Sequence, residues 1–313
     1  MREISQILSV IEPTAEAQPA LERAAYVARH SGAELELFIC YYNEYFTRDW
    51  LFDAPSLDTT RKELIEGQEK FLEELAAPLR SAGLSVRTSV LWDRPLHSAI
   101  ARHAAAIGAD LVFKDTHRQS AVSRALFSNT DWNLIRTCAS PLWLVKPGPW
   151  PDKPVFIAAI DPMSEHDKPA ALDDDILVVA ELMAKAAGAE VHAFHAYDPR
   201  LVLSAATANA YIPVSLPLDE IGERMRKQHG KRFDEIVRFH RIDAARAHLV
   251  EGAAHEELPK LAHELDATLV VMGAVARTRL ERLFIGSTAE RTLEHLPCDL
   301  LIVKPPWFQT DEA

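Results

Sequence analysis

No stretch of this chain stays apolar for the roughly 18 residues that a membrane-spanning helix needs. The opening, MREISQILSVIEP, lacks the long apolar core and small-residue cleavage site of a secretory signal. It reads as the first strand of a mature cytosolic protein, so a cytoplasmic location is expected. Cysteine is scarce. Cys40, Cys138 and Cys298 are far apart and set in apolar text, which excludes a disulfide framework and suggests buried thiols in a reducing compartment. Positive charge is in deficit: 34 Lys and Arg against 46 Asp and Glu give a net charge of −12. An acidic whole argues against a general nucleic-acid binder, although arginines can still cluster locally. Also missing are a Ser-His-Asp order, a paired-carboxylate motif and a GxxxxGK[ST] phosphate loop, so no catalytic constellation is assigned.

What is present is a globular composition, 48% hydrophobic and 26% charged over 313 residues, and a length that suggests about two domains. The two are copies of one unit. SPLWLVKPGPWP (140–151) and CDLLIVKPPW (298–307) both close an apolar run with Val-Lys-Pro. The same offset of 158 residues aligns DLVFKD (110–115) with TLVVMG (268–273), and pairs His97 with His255, Arg124 with Arg282 and Thr130 with Thr288. Further upstream, VIEP (10–13) matches AIDP (159–162), and GAELELFICYY (32–42) matches GAEVHAFHAYD (188–198). A fixed repeat period of this kind is the mark of a duplicated structural unit. The Pro-rich joint KPGPWPDKP divides the chain into domains 1–150 and 151–313.

Each half alternates short apolar strands with amphipathic helices. In the first, strands are expected over 7–11, 34–41, 85–91, 111–113 and 142–145, and helices over 19–31, 59–82, 96–107 and 129–137. The second half repeats this order. Continuous apolar strands between helices imply a mostly parallel sheet covered on both faces. The fold class is therefore α/β, a doubly wound Rossmann-like unit made twice. The edges ending in Val-Lys-Pro suggest that the two halves pair as an internal pseudo-dimer, which would also shield edge strands.

One loop stands out. GAVARTRLERLFIGST runs from Gly273 to Thr288. Gly273 follows an apolar strand at the sheet edge where such folds bind ligands, and as a glycine it permits close backbone approach and positive φ. Gly286 precedes a helical stretch that Ser287 or Thr288 would cap. The free N–H groups of that first turn would favour an anion, and Arg277, Arg279 and Arg282 could neutralise more phosphate charge. Asp161, ending the first strand of this half, could accept hydrogen bonds from ribose hydroxyls or an adenine amino group. The same text also describes an ordinary loop-to-helix junction.

The segment LVVMGAVARTRLERLFIGSTAERTLEHLPCDLLIVKP resembles the nucleotide loop G-x2-G-x9-G-[S/T] of the universal stress protein family, and the resemblance runs through both halves. Gly273, Gly286 and Ser287 match the first glycine, the third glycine and the hydroxyl. Ala276 stands where the second glycine belongs and adds a methyl group near phosphate. Asp161 matches the family's acidic residue after strand one, and His195-Ala196 stands at its usual His-Val. TDWNLIR and SPLWLVKPGPWP narrow the likeness to the E-type tandem members. The resemblance implies a cofactor of the ATP class, which can bring Mg²⁺ with it. The first half departs further: Asp115, Arg118 and Ser128 replace the three glycines, and Glu12 replaces the aspartate. A carboxylate at 115 would repel phosphate, so the first half is expected not to bind ATP and to serve as a structural partner.

Other candidates are weaker. Asp115-x-His117 places two metal-ligating side chains on one side of an extended segment, but no third ligand has matching spacing, so a solvated loop histidine is favoured over a metal site. His192 and His195 lie at another strand end. His97 and His255 open helices and read as surface or capping residues. RLVLSAATANAYIPVSLPLDEIG (200–222) is apolar and carries two prolines. It reads as a lid or an interface, or as a wall for a nucleotide bearing an apolar group. The reading is a cytosolic stress-response protein that senses or carries a small nucleotide-like ligand. The alternatives are a weak ATP hydrolase, through backbone amides and arginines, and a ligand-free interaction scaffold. Further homodimerisation stays open.

Overall fold

The computed structural model describes residues 4–42, 54–116, 127–163, 172–200, 217–274, 293 and 295–305. The chain divides into two compact units, the first built on Met1–Trp150 and the second on Pro151–Pro305. In the first, β1 (Gln6–Val10), α1 (Pro19–Ser31), β2 (Glu34–Tyr41), α2 (Ala54–Ser81), β3 (Val86–Trp92), α3 (Leu96–Ala106), β4 (Leu111–Asp115), α4 (Asn129–Thr137) and β5 (Leu142–Val145) alternate. The sheet order is β3-β2-β1-β4-β5, and every described pair is parallel, with Ile7 between Leu35 and Leu111. Buried on both faces, β1 is enclosed throughout, as expected for a parallel sheet covered by helices. Pro19 opens α1 at the position where its missing N–H costs nothing. Its Ala- and Leu-rich face is buried, and Gly32 ends it at φ 74°, a left-handed conformation that favours glycine.

The second unit repeats the plan with β6 (Val155–Ala159), α5 (Leu172–Ala187), β7 (Glu190–Tyr197), α6 (Leu218–Phe239), β8 (Ala247–Glu251), α7 (Ala254–Glu264), β9 (Leu269–Gly273) and β10 (Asp299–Val303). Its order is β10-β9-β6-β7-β8, again parallel. Consecutive strands run outward from β6 to β7 and β8, and the fourth strand, β9, returns to the other side of β6. Strand order thus reverses between β6 and β9, as it does between β1 and β4. Such a crevice, at the carboxyl ends of the strands, is where open α/β sheets take ligands. Among the described residues no helix is long and apolar enough to cross a membrane. Cys138 and Cys298 are buried, whereas Cys40 is half-exposed, and burial followed by the nearby Asp93 raises its thiol to about 11.

Candidate functional site

Three expected site residues reach one edge of the second sheet. Asp161 follows β6, Ala196 lies near the end of β7, and Gly273 ends β9, so Asp161 and Gly273 flank the reversal point. The Asp161 side chain is 59% exposed, leaving its carboxylate open at the crevice. Its backbone N–H donates to Asp173 Oδ1 at 3.0 Å, in the first turn of α5. Beneath it His195, 2% exposed, points Nδ1 at the Ile160 carbonyl at 3.1 Å. A carbonyl only accepts, so Nδ1 carries the proton. Nε2 then accepts from His229 Nδ1 of α6 at 2.7 Å. Burial holds the His195 pKa below its ordinary value; Asp161 opposes this and His229 adds to the lowering. Its 3.9 Å approach to Asp161 is therefore that of a neutral imidazole.

Gly273 differs from expectation in its reason for being glycine. Its φ is not positive: the described glycines with positive φ are Gly32, Gly83, Gly108, Gly148, Gly188 and Gly252. A Cβ at 273 would instead meet Leu172 Cδ2 at 2.8 Å and Ile176 Cδ1 at 3.1 Å. The absent side chain makes room for the start of α5. Ala276, Arg277, Arg279, Arg282, Gly286, Ser287 and Thr288 lie outside the described residues, as do His117, Arg118 and 201–216.

The same edge of the first unit is filled. Asp115 ends β4 and its Oδ1 accepts the Ala20 N–H of α1 at 2.8 Å, so it caps a helix across the reversal point. His117, its partner in the expected metal pairing, lies outside the described residues, and among the described residues no group of metal-ligating side chains converges. Ser128 and Asp131 form a reciprocal capping box on α4. Asp131 is fully enclosed and lies 2.8 Å from the Lys114 ammonium, itself about nine-tenths buried. Sequence reasoning passed over Lys114 and Asp131. The Ser128-x-x-Asp131 spacing was the available signal for the cap, but a buried lysine inside an apolar strand gives none.

Two other arrangements carry no chemistry of the kind they suggest. Ser89, His103 and Glu36 meet in the first unit, but Ser89 donates to Glu36 Oε1 at 2.6 Å and His103 Nε2 faces the same oxygen at 2.5 Å. The imidazole serves the carboxylate, so Ser89 gains no base. Burial works to raise the Glu36 pKa, but the hydrogen bonds from His103 and Ser89 prevail and lower it. In the second unit a cavity of about 790 Å³ opens beyond β7 and β8, bordered by Arg200, Asp219 and Gly222 from the flanks of the 200–222 stretch. Among the described residues six carboxylates and two arginines line it, and neither Asp161 nor Gly273 does; such a setting repels phosphate. His97 and His255 sit in the first turns of α3 and α7 without capping them, since neither helix has a side-chain cap bond.

A family model described as "Universal stress protein family" matches residues 3–146 and again 159–304. The chain belongs to the universal stress protein family. It is 30% identical over 305 residues to universal stress protein E of Escherichia coli K12, covering 97% of this chain and 95% of that one. It is 24% identical over 309 residues to the universal stress protein E homolog of Haemophilus influenzae, covering 96% and 97%. Among solved structures, a functionally unknown protein of Pseudomonas aeruginosa PAO1 matches at TM-score 0.69 and 27% identity, over 96% of this chain and 93% of that one. A universal stress protein of Archaeoglobus fulgidus shares the fold at TM-score 0.64 and 16% identity, over 96% and 98%. The tandem stress-protein architecture thus extends over essentially the whole chain, and the crevices beside β6 and β1 are the two equivalent edges of its repeated domain.

Proposed function

We propose that this is a stress-response protein whose second unit holds a nucleotide or nucleotide-like ligand at the β6–β9 crevice, and that it acts as a sensor or carrier without a chemical step of its own. One observation carries the reading. The first unit brings Lys114, Asp115, Ser128 and Asp131 to its crevice, whereas the residues 158 positions later are Met272, Gly273, Gly286 and Ala289. At these four positions the second unit therefore has no carboxylate to repel a phosphate or fill its space. The exposed Asp161 suits a ribose or adenine donor, and the Gly273 to Ser287 spacing suits a backbone-amide cradle for phosphate. A triphosphate bound there can bring Mg²⁺ with it.

Titration calorimetry with ATP tests the assignment. Binding is expected in the wild type, is lost in Gly286→Asp, which sets a carboxylate at the proposed cradle, and survives in Ser128→Asp. Equal loss in both variants refutes placement in the second unit.

A further inference from the structure

We infer that the first unit carries its own anion: the Asp131 carboxylate occupies the place at the N-terminus of α4 where an external phosphate would sit, with Lys114 as its buried counter-charge. The inference rests on the reading that the matching edge of the second unit accepts an anion, but its test does not depend on that edge.

The donors around this carboxylate are those a phosphate would require. Asp131 Oδ2 accepts the Ser128 N–H at 2.7 Å and the Ser128 hydroxyl at 2.8 Å. Oδ1 faces the Lys114 ammonium at 2.8 Å. Lys114 also donates to the Asp115 carbonyl at 3.0 Å, which fixes the amine at the end of β4. A helix N-terminus with a cation opposite it is an anion receptor, and here the anion is part of the chain.

An ordinary capping box explains only half of this geometry. It accounts for Ser128 and Oδ2. It does not account for an ammonium about nine-tenths buried and aimed at the second oxygen. Burying a charge is costly unless an opposite charge and hydrogen bonds meet it, so Lys114 and Asp131 hold each other in place. In the second unit the ammonium, the Ser128 hydroxyl and the carboxylate have no counterpart at the matching positions, which are Met272, Gly286 and Ala289. The first unit is thus permanently filled, and exchange with a soluble ligand is confined to one crevice per chain.

Removing the internal anion should create an external site. In Asp131→Ala, Lys114 loses its counter-charge and the Ser128 N–H its acceptor, and phosphate can supply both. The probe is thermal unfolding of the full chain in sodium phosphate against sodium chloride at matched ionic strength. Asp131→Ala is expected to melt lower than wild type in chloride and to recover about 2–4 °C in phosphate, the shift that corresponds to a modest ligand stabilisation for a domain of this size. With Gly286→Asp present to remove any phosphate effect of the second unit, the chain that keeps Asp131 shows no such gain, and neither does Lys114→Met combined with Asp131→Ala. If Asp131→Ala does not fold in either salt, Asp131→Asn is read by the same criteria, because it keeps the shape and removes the charge. In the Gly286→Asp background, an equal phosphate effect with Asp131 intact, no effect in Asp131→Ala, or a rescue that persists without Lys114 overturns the inference. The rescue must also appear in a Gly286→Asp background, so failure of the second unit to bind ATP leaves this result intact.

Discussion

At the scale of single residues, Gly273 shows how one letter can have two physical causes. A glycine after an apolar strand is read most directly as freedom in φ. Here φ is ordinary, and the requirement is the missing Cβ, whose place Leu172 Cδ2 approaches to 2.8 Å. Gly273→Ala should therefore destabilise the protein by about 1–3 kcal/mol through overpacking. Trimming Leu172 as well should recover part of that loss, a coupling that a double-mutant cycle in urea measures directly. Additive losses would mean that the clash is relieved elsewhere. The pattern of glycines was legible in the sequence, but the neighbour that demands one was not, because Leu172 is 101 positions away and belongs to another element. Asp131 was obscured differently: it sits at the third position of a helix, where an acid is ordinary, and only the ammonium from β4 gives it a second meaning.

At the scale of elements, α1, α4, β2 and β5 fall where apolar periodicity and turn residues place them. β4 runs on past the expected 113 to Asp115. Lys114 and Asp115 look like the end of a strand by polarity, but Asp131 opposite Lys114 and the Ala20 N–H on Asp115 let the backbone stay in register with Val10 and Val145. Pairing across β7 was equally hidden. His195 joins His229 of α6 at 2.7 Å, and His192 joins His248 of β8 at 2.9 Å. In each pair one ring donates and the other accepts, so adding a proton sets donor against donor. All four rings have pKa values lowered chiefly by burial, and His248 adds to the lowering at His192. Asp161 and Asp173 near His195, Asp161 near His229, Glu190 near His192 and Glu264 near His248 oppose the shift without reversing it. The sign follows from linkage. Folded imidazoles bind fewer protons than unfolded ones below the ordinary value of 6.5, so stability falls as pH drops through that value. Urea midpoints of the second unit should decrease from pH 7.5 towards pH 5, and His229→Gln, which keeps a donor for His195 and removes one titrating ring, should flatten the slope. An unchanged slope in both His229→Gln and His248→Gln would assign the acid sensitivity to other groups.

At the scale of the whole molecule, the duplication was fully legible because a fixed offset survives wherever the core demands the same volume: Leu111 and Leu269, buried at the same sheet position, hold their place. What diverged is charge at the two crevices, and divergence of that sort follows from relaxed copying. Once one copy supplies a binding edge, its twin can replace a soluble anion with a covalent one and keep the helix capped at all times. The division is expected to be transferable. Met272→Lys with Gly286→Ser and Ala289→Asp rebuilds the ammonium, cap and carboxylate of the first unit in the second, and leaves Gly273 untouched to avoid the Leu172 clash. ATP binding by calorimetry should fall below detection in this triple variant while the unfolding midpoint stays near that of wild type, since the transplanted charges face each other as Lys114 and Asp131 do. Met272→Lys alone should weaken binding little or strengthen it, because a lone cation attracts phosphate. If the triple variant still binds, the ligand does not use the N-terminal end of the helix after Gly286, and the anion-receptor reading of the second crevice fails at its physical root.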